Sequence, residues 1–322
     1  MVKEFLKLEN RLILKLEIIP LSPLLIKLGD GKEEKAKDGN TVVFITSDST
    51  QIPEEKSNIK EFVEYNEKEN IITKDDRKGE PFIPGSTLKG LFRERFNQIY
   101  GIEGKEENEE IRTLFGFVPD KKEKNQKEKK GRIFLEDAYL SNEEYRKIFH
   151  EESDNEILNL KRKIIKTRDI TPIDAFTGKA TVPLKFEYID EKFITTLTVN
   201  NITQEELKNL YFIIRDSILG EIRIGNSKTR GFGQVKFAIE DFIFENYCTN
   251  NKDEKYRYIE DLKEFFTLEK KESLKIGERY LRENLKLKDK EVDIENPSKF
   301  IRNLFGEGDE WWQITKNLKK MR

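Results

Sequence analysis

Two apolar-alternating segments are joined by Gly220-Glu221-Ile222-Arg223-Ile224-Gly225-Asn226-Ser227-Lys228-Thr229-Arg230-Gly231-Phe232-Gly233-Gln234-Val235. Glycine has no Cβ and permits positive φ, so the chain here is constrained to a loop whose backbone N–H groups can turn together toward an anion. Lys228 and Arg230 add positive charge, and the Arg230 fork can place two donors on one phosphate. Asn226, Ser227, Lys228, Thr229, Arg230, Gly231 and Gly233 are therefore candidate contacts for a phosphate chain. A glycine-rich hairpin turn with solvated charges has the same composition, so the loop alone leaves both readings open.

The chain has 322 residues, enough for a large core and, on length, about two domains. Its 60 basic and 62 acidic residues leave a net charge of −2, so only the distribution of charge bears on partners. One cysteine, Cys248, excludes an intrachain disulfide or a thiolate metal cluster. One histidine, His150, speaks against a histidine zinc site and against catalysis by paired histidines. With no long apolar run and no signal-peptide pattern, the expectation is a cytoplasmic protein that does not engage a membrane.

Leu12, Leu14, Leu16 and Ile18 alternate as in a strand that ends at Pro20. A polar loop at 29–40 leads to a β-rich run at 41–45, and the charged, weakly patterned residues 46–80 read as an insertion. A helix opening at Ser86 or Thr87 has Leu88, Leu91, Phe92, Phe96 and Ile99 on its apolar side. Beyond a lysine-rich tract at 121–130, Ile133 and Leu135 suggest a further strand. A second helix spans 203–219, with Thr203 and Glu206 at capping-box spacing, Leu207, Leu210, Ile214 and Ile218 as its stripe, and Gly220 at its stop. Residues 1–245 thus predict an α+β core with a ferredoxin-like or RNA-recognition-type sheet. Leu262, Phe265, Phe266, Leu274, Tyr280, Leu281, Ile301, Leu304 and Phe305 predict a helical appendage over 246–322, closed by Trp311 and Trp312.

Two further features carry positive charge. A helix that begins Gly85-Ser86-Thr87 presents unpaired N–H groups, and Lys89 and Arg93, four apart, share one of its faces. Residues 161–168 hold Lys161, Arg162, Lys163, Lys166 and Arg168 without an acid. Each has an ordinary alternative: a capped core helix for the first, a solvated helix face for the second.

Four segments, in order, resemble one family. Pro84-Gly85-Ser86-Thr87-Leu88-Lys89-Gly90 is similar to the Pro-Gly-Ser-Ser-Leu-Lys-Gly helix start of the RAMP superfamily, the repeat-associated proteins of CRISPR systems. Leu114-Phe115-Gly116 followed by Asp137-Ala138 resembles that family's Leu-Phe-Gly…Asp-Ala segment. Ile173-Asp174-Ala175-Phe176-Thr177-Gly178-Lys179-Ala180 is similar to a segment of the backbone subunits of type III effector complexes, and the glycine-rich loop resembles theirs. The resemblance covers about residues 10–240. It implies an RNA-binding subunit that assembles along a CRISPR guide RNA with other RAMP subunits and meets a target RNA. In such a subunit Gly85, Ser86, Lys89 and Arg93 would contact RNA, as would the basic run. A thumb-like region at about 158–190 would carry Phe176 and Thr177, with Phe176 able to wedge against a base.

The resemblance also implies target-RNA cleavage by a loop aspartate with a divalent metal, Mg²⁺ being the expected ion. Asp38 falls nearest that aspartate, ahead of Val42-Val43, and Asp30 is its competitor, with Glu33 and Glu34 close by. The flanking residues depart from the family's usual pattern, and the insertion and C-terminal part have no counterpart in the compact backbone subunit. A non-catalytic structural or capping subunit is the alternative. A stand-alone CRISPR-RNA-processing ribonuclease ranks behind both, because His150 lies outside every motif.

Overall fold

The computed structural model describes residues 8–27, 41–42, 44–46, 80–100, 108–119, 128–149, 155–173, 176–180, 182–248, 258–274, 280–288 and 299–305. Strand β1 (Asn10–Pro20) buries Leu12, Leu14, Leu16 and Ile18 on one face, as a period of two requires. It is followed by β2 (Thr41–Val42), β3 (Phe82–Ile83), helix α1 (Gly85–Tyr100) and helix α2 (Glu109–Phe115). Strands β4 (Ile133–Leu135) and β5 (Ala138–Leu140) lead into helices α3 (Glu143–Ile148) and α4 (Asn155–Ile164). A hairpin of β6 (Lys166–Ile170) and β7 (Leu184–Tyr188) precedes β8 (Phe193–Asn200), helix α5 (Gln204–Ile218) and strand β9 (Val235–Cys248). Helix α6 (Tyr258–Leu262), strands β10 (Phe266–Leu274) and β11 (Tyr280–Leu287) and helix α7 (Lys299–Phe305) follow.

β1 runs antiparallel to β8 on one side and to β9 on the other. The far edge of β8 is shared by β4 and β5, which act as one strand broken at Glu136 and Asp137. The order β9-β1-β8-β4/β5, with α1 and α5 as crossovers, is the expected ferredoxin-like core. Phe92 of α1 meets Phe237 of β9 at 5.6 Å between ring centroids. Leu88, Leu91, Phe92 and Phe96 are all buried, each side chain contributing about 1.5–3 kcal/mol of apolar transfer. Ile99, predicted on that stripe, is 39 % exposed in the last turn of α1.

Helix α5 carries both halves of the capping box read from Thr203 and Glu206, and it ends at Gly220 in a Schellman arrangement, Glu221 N–H donating to Asp216 O at 3.0 Å. Its buried side also holds polar groups. Asp216, 2 % exposed, accepts from Arg95 Nε at 2.9 Å and from Arg215 Nε at 2.9 Å, so two guanidiniums offset its desolvation and tie α5 to α1.

The expected helical appendage is corrected. β10 and β11 form an antiparallel hairpin that adds to β9, giving one eight-stranded sheet in the order β10-β11-β9-β1-β8-β5-β3, with β4 beside β8. Leu285 and Leu287, two apart and both buried, show the strand period that spacing among the more widely separated apolar residues concealed. The hairpin also covers an edge of β9 that would otherwise present unpaired N–H and C=O groups. Among the described residues after β9, α6, α7 and a 3-10 turn at Lys263–Phe265 are helical as expected, and Phe300 and Phe305 join the same core as β9 and α5 through Phe242 and Tyr211. Trp311 and Trp312 lie outside the described residues. The ends of the 46–80 insertion meet in a bridge between Thr46 and Pro81. Among the described residues no helix is long and apolar enough to cross a membrane.

The β9 end of the sheet holds a titrating network. Glu245, 3 % exposed, pairs with Arg11 and Arg282 and accepts from Tyr247 Oη at 2.5 Å. Burial, then the Glu245 hydrogen bond and charge, push the Tyr247 phenol from its ordinary value near 10 up to about 12. A pKa raised by folding contributes stability that is whole below pH 10 and is lost as pH rises through 12. The loss of stability measured by urea unfolding between those two pH values should therefore be steeper in the wild type than in Tyr247→Phe. Equal slopes would show that the phenol does not couple to folding.

Candidate nucleic-acid interface

The glycine-rich loop is pinned beneath the chain that leaves β1. Gly233 N–H donates to Pro23 O at 2.8 Å, Asn226 N–H to Leu25 O at 2.8 Å, and Ile224 N–H to Gly233 O at 2.8 Å. Gly225 (φ +81) and Gly233 (φ +83) make this possible: a Cβ would overlap Leu25 O at the first and Ile224 O at the second. Between them Ser227 adopts a left-handed φ of 56, and a single 3-10 turn, Lys228–Arg230, follows with Arg230 N–H returning to Ser227 O at 2.8 Å. Lys228, Thr229, Arg230 and Gly231 are exposed. No described residue accepts from the N–H of Lys228 or Thr229.

The start of α1 lies against this loop. A cleft of about 260 Å³ is lined on one side by Thr87, Gly90 and Glu94 and on the other by Gly225, Asn226 and Lys228, with Lys27 at its rim. Two segments about 140 residues apart in sequence are thus brought to one groove, combining cations, an amide and a backbone face that no Cβ obstructs at Gly90. Lys89 and Arg93 lie on the flank of α1 beside the cleft rather than in its lining. Burial, and secondarily the Arg93 charge, hold the Lys89 ammonium pKa below its ordinary value, a penalty that a bound anion would relieve.

Gly85 has a different role from the one expected. It is buried, its N–H donates to Asp137 Oδ1 at 2.7 Å, and a Cβ would overlap Leu135 O. The carboxylate at the β4–β5 break therefore takes the helix-terminal N–H that had been assigned to an external phosphate. Ser86 remains exposed. The Leu114-Phe115-Gly116 motif is likewise architectural. Gly116 and Gly131 pack backbone to backbone, and Arg132 N–H donates to Leu114 O at 2.8 Å.

The hairpin β6–β7 extends the interface. Arg168 pairs across it with Phe186, and beyond the ladder a bridge joins Ile173 to Ala180. Phe176, at the tip, is 98 % exposed, Thr177 Oγ1 accepts from Lys179 N–H at 3.4 Å, and Asp174 and Ala175 lie outside the described residues. The basic run does not form a continuous track. Its first part closes α4 and its last part enters β6, with a bend at Ile165 between them. Lys161 is 5 % exposed and stands over the Phe149 ring, which removes it from any surface contact. Arg162 and Lys163 are exposed at the C-terminal end of α4, where cations suit the helix dipole. Lys166 pairs with Asp190 at 2.7 Å, a bond that raises the Lys166 pKa.

Gly233 is buried with its N–H engaged, so it serves packing, whereas Asn226, whose Oδ1 accepts from Lys27 N–H at 3.1 Å, ties the loop to the chain after β1 and stays exposed in the cleft lining. Lys27 and Phe186 were not singled out from the sequence, and Thr87, Gly90 and Phe232 were read only as parts of their motifs. Phe232, an apolar residue between two glycines in a polar loop, was the available sign that the loop is anchored in a core. Asp30, Glu33, Glu34, Asp38 and His150 lie outside the described residues, and no described group of three or more His, Cys, Asp or Glu is placed to hold a metal ion.

An α+β core that brings its glycine loop, helix start and exposed hairpin together accords with what sequence comparison finds. The family model of the RAMP superfamily matches residues 17–236, and the chain belongs to that superfamily. The match runs from within β1 to the start of β9, so β10, β11 and α7 lie beyond it. Over 184 residues the chain is 28 % identical to the CRISPR system Cms endoribonuclease Csm3 of Streptococcus thermophilus, covering 55 % of this chain and 78 % of that protein.

Gly85 and Asp137 yield a stability test. Gly85→Ala should lower stability by about 2 kcal/mol through overpacking against the β4 backbone, and Asp137→Asn by about 1 kcal/mol through a weakened cap, both read from denaturant midpoints. An unperturbed Gly85→Ala protein that has lost only RNA affinity would restore the anion-site assignment.

Proposed function

We propose that the chain is an RNA-binding subunit of a type III CRISPR effector complex, assembled along the guide RNA beside other RAMP subunits. Membership of the superfamily and the likeness to Csm3 support the class. The observation that carries the reading is the single groove formed by the start of α1 and the glycine-rich loop, with Lys27 and Lys228 beside it. A groove of this kind suits a backbone and reads no bases, since its donors are Lys27, Lys228 with its main-chain N–H, and the Asn226 amide, set against one acid, Glu94. The exposed Phe176 at the end of a hairpin suits contact with a base lifted out of a stack.

Binding should therefore be electrostatic and sequence-tolerant. Lys228→Ala/Arg230→Ala should weaken binding to oligouridine and oligoadenosine alike, by about tenfold or more, and should reduce the slope of log affinity against log salt by about 1.4. Unchanged affinity and slope would remove the loop from the interface.

The enzymatic part of the proposal is cleavage of the guide-paired target RNA at the loop containing Asp38, with a divalent metal as cofactor. The chain's one histidine weighs toward a carboxylate-based site over histidine chemistry, and the likeness to an endoribonuclease supports cleavage as the activity. In the assembled complex with Mg²⁺, Asp38→Ala should abolish target cleavage while leaving guide affinity equal or slightly higher, because a carboxylate near a phosphate repels the ground state. Loss of cleavage in Asp30→Ala with retention in Asp38→Ala would transfer the role. A wild-type complex that leaves a matched target intact in Mg²⁺ and Mn²⁺ would establish the structural subunit instead.

A further inference from the structure

The root of the hairpin and the glycine-rich loop exchange arginines. Arg168, on β6, stands over the ring of Phe232 in the loop, with its guanidinium carbon 5.4 Å from the ring centroid. Arg230, in the loop, stands over the ring of Phe186 on β7 at 5.8 Å. The two rings pack on each other at 5.9 Å and 52°, and Tyr188 meets Phe232 edge-on at 6.5 Å. Phe186 and Phe232 are 2 % and 0 % exposed, whereas both arginines are exposed. Each element thus holds the other's cation on its own buried ring.

The manner of holding matters chemically. Arg11, Arg95, Arg132, Arg146, Arg215 and Arg282 are all paired with carboxylates. Among the described residues Arg168 and Arg230 are paired with none. A guanidinium held by the attraction of a ring's π-face, with no carboxylate on its N–H groups, keeps those donors available, and they are the groups that fork onto a phosphate. Pairing with a carboxylate would consume the same donors and cancel the charge. The ring face fixes position at no such cost.

We infer that Phe186 and Phe232 are positioning residues, which present Arg168 and Arg230 to the phosphates of one RNA strand as it passes from the loop to the hairpin. The assignment rests on the RNA-binding reading above and deepens it. Loop and hairpin then act as one binding unit, and the direction of the exposed Phe176 is tied to the phosphates held at the root.

The test is a binding cycle on the full chain with single-stranded oligouridine, each variant being checked for a wild-type thermal transition. Arg168→Lys and Arg230→Lys, both at exposed positions, keep the charge and lose the planar, forked guanidinium. Each should bind about three- to fivefold more weakly with the salt slope unchanged. Phe232→Leu should weaken binding by a similar factor, and combining it with Arg168→Ala should cost no more than Arg168→Ala alone. Combined with Lys228→Ala its effect should add, because Lys228 stands on neither ring. Phe232→Trp, which keeps a ring face, should restore binding relative to Phe232→Leu.

Wild-type affinity in both lysine variants would overturn the proposal, as would additivity of Phe232→Leu with Arg168→Ala. If Arg168→Ala, Arg230→Ala and Lys228→Ala all bind as tightly as wild type, the RNA-binding reading falls with it. If those three weaken binding but the lysine variants do not, only the positioning role falls. Should Phe232→Leu fail to fold, the two lysine variants decide alone.

Discussion

The interface depends on one backbone contact, the seating of the glycine-rich loop under the residues that leave β1. Two hydrogen bonds of 2.8 Å, from Gly233 to Pro23 O and from Asn226 to Leu25 O, join the loop to that segment, and a third, from Ile224 to Gly233 O, closes the loop on itself, at distances that exclude a Cβ at Gly225 and Gly233. Such close approach is available to glycine alone, and it fixes where the intervening residues can go. Lys228, Thr229 and Arg230 are forced outward in a 3-10 turn, toward α1 on one side and toward the β6–β7 hairpin on the other. The charge of the loop is thereby aimed by neutral contacts beneath it.

The motifs divide into those that build and those that face outward. Gly85, Asp137, Gly116 and Gly131 bring α1, α2 and the broken β4/β5 strand into close backbone contact, so their residue types are set by space and by a helix-terminal N–H. Thr87, Gly90, Lys228 and Phe176 are reached by solvent and are set by nothing in the core. One motif, residues 84–90, contains both kinds. A helical period explains this: Gly85 and Leu88 turn toward the sheet while Thr87 and Gly90 turn toward the loop.

The C-terminal residues extend the architecture and stand apart from the cleft. β10 and β11 continue the main sheet beyond β9, and α7 packs its aromatic residues on α5 and β9, both away from the groove between α1 and the loop. The described residues beyond the superfamily match at the C-terminal side therefore lengthen the sheet and its core, and none of them lines the groove.

Local signals were legible wherever one element satisfied its own requirements. The alternation of β1, the capping box of α5, the stripe of α1 and the turn at Gly220 all depend on neighbours a few residues away, and each was read from the sequence. The order of four motifs was likewise enough to name a superfamily and its ferredoxin-like core. What the sequence could not place was every residue whose surroundings come from distant segments. Lys161 looks like its basic neighbours until Phe149 covers it, and Gly85 looks like an anion site until Asp137, 52 residues on, takes its N–H. The 266–287 hairpin looked helical because only pairing with β9 reveals its period, and Phe232 gained its meaning from rings on β7. Burial and hydrogen-bond satisfaction are properties of packed neighbours, so the sequence determined the locally specified elements and their charge, and tertiary structure alone decided the β10–β11 pairing and which of those charges face solvent.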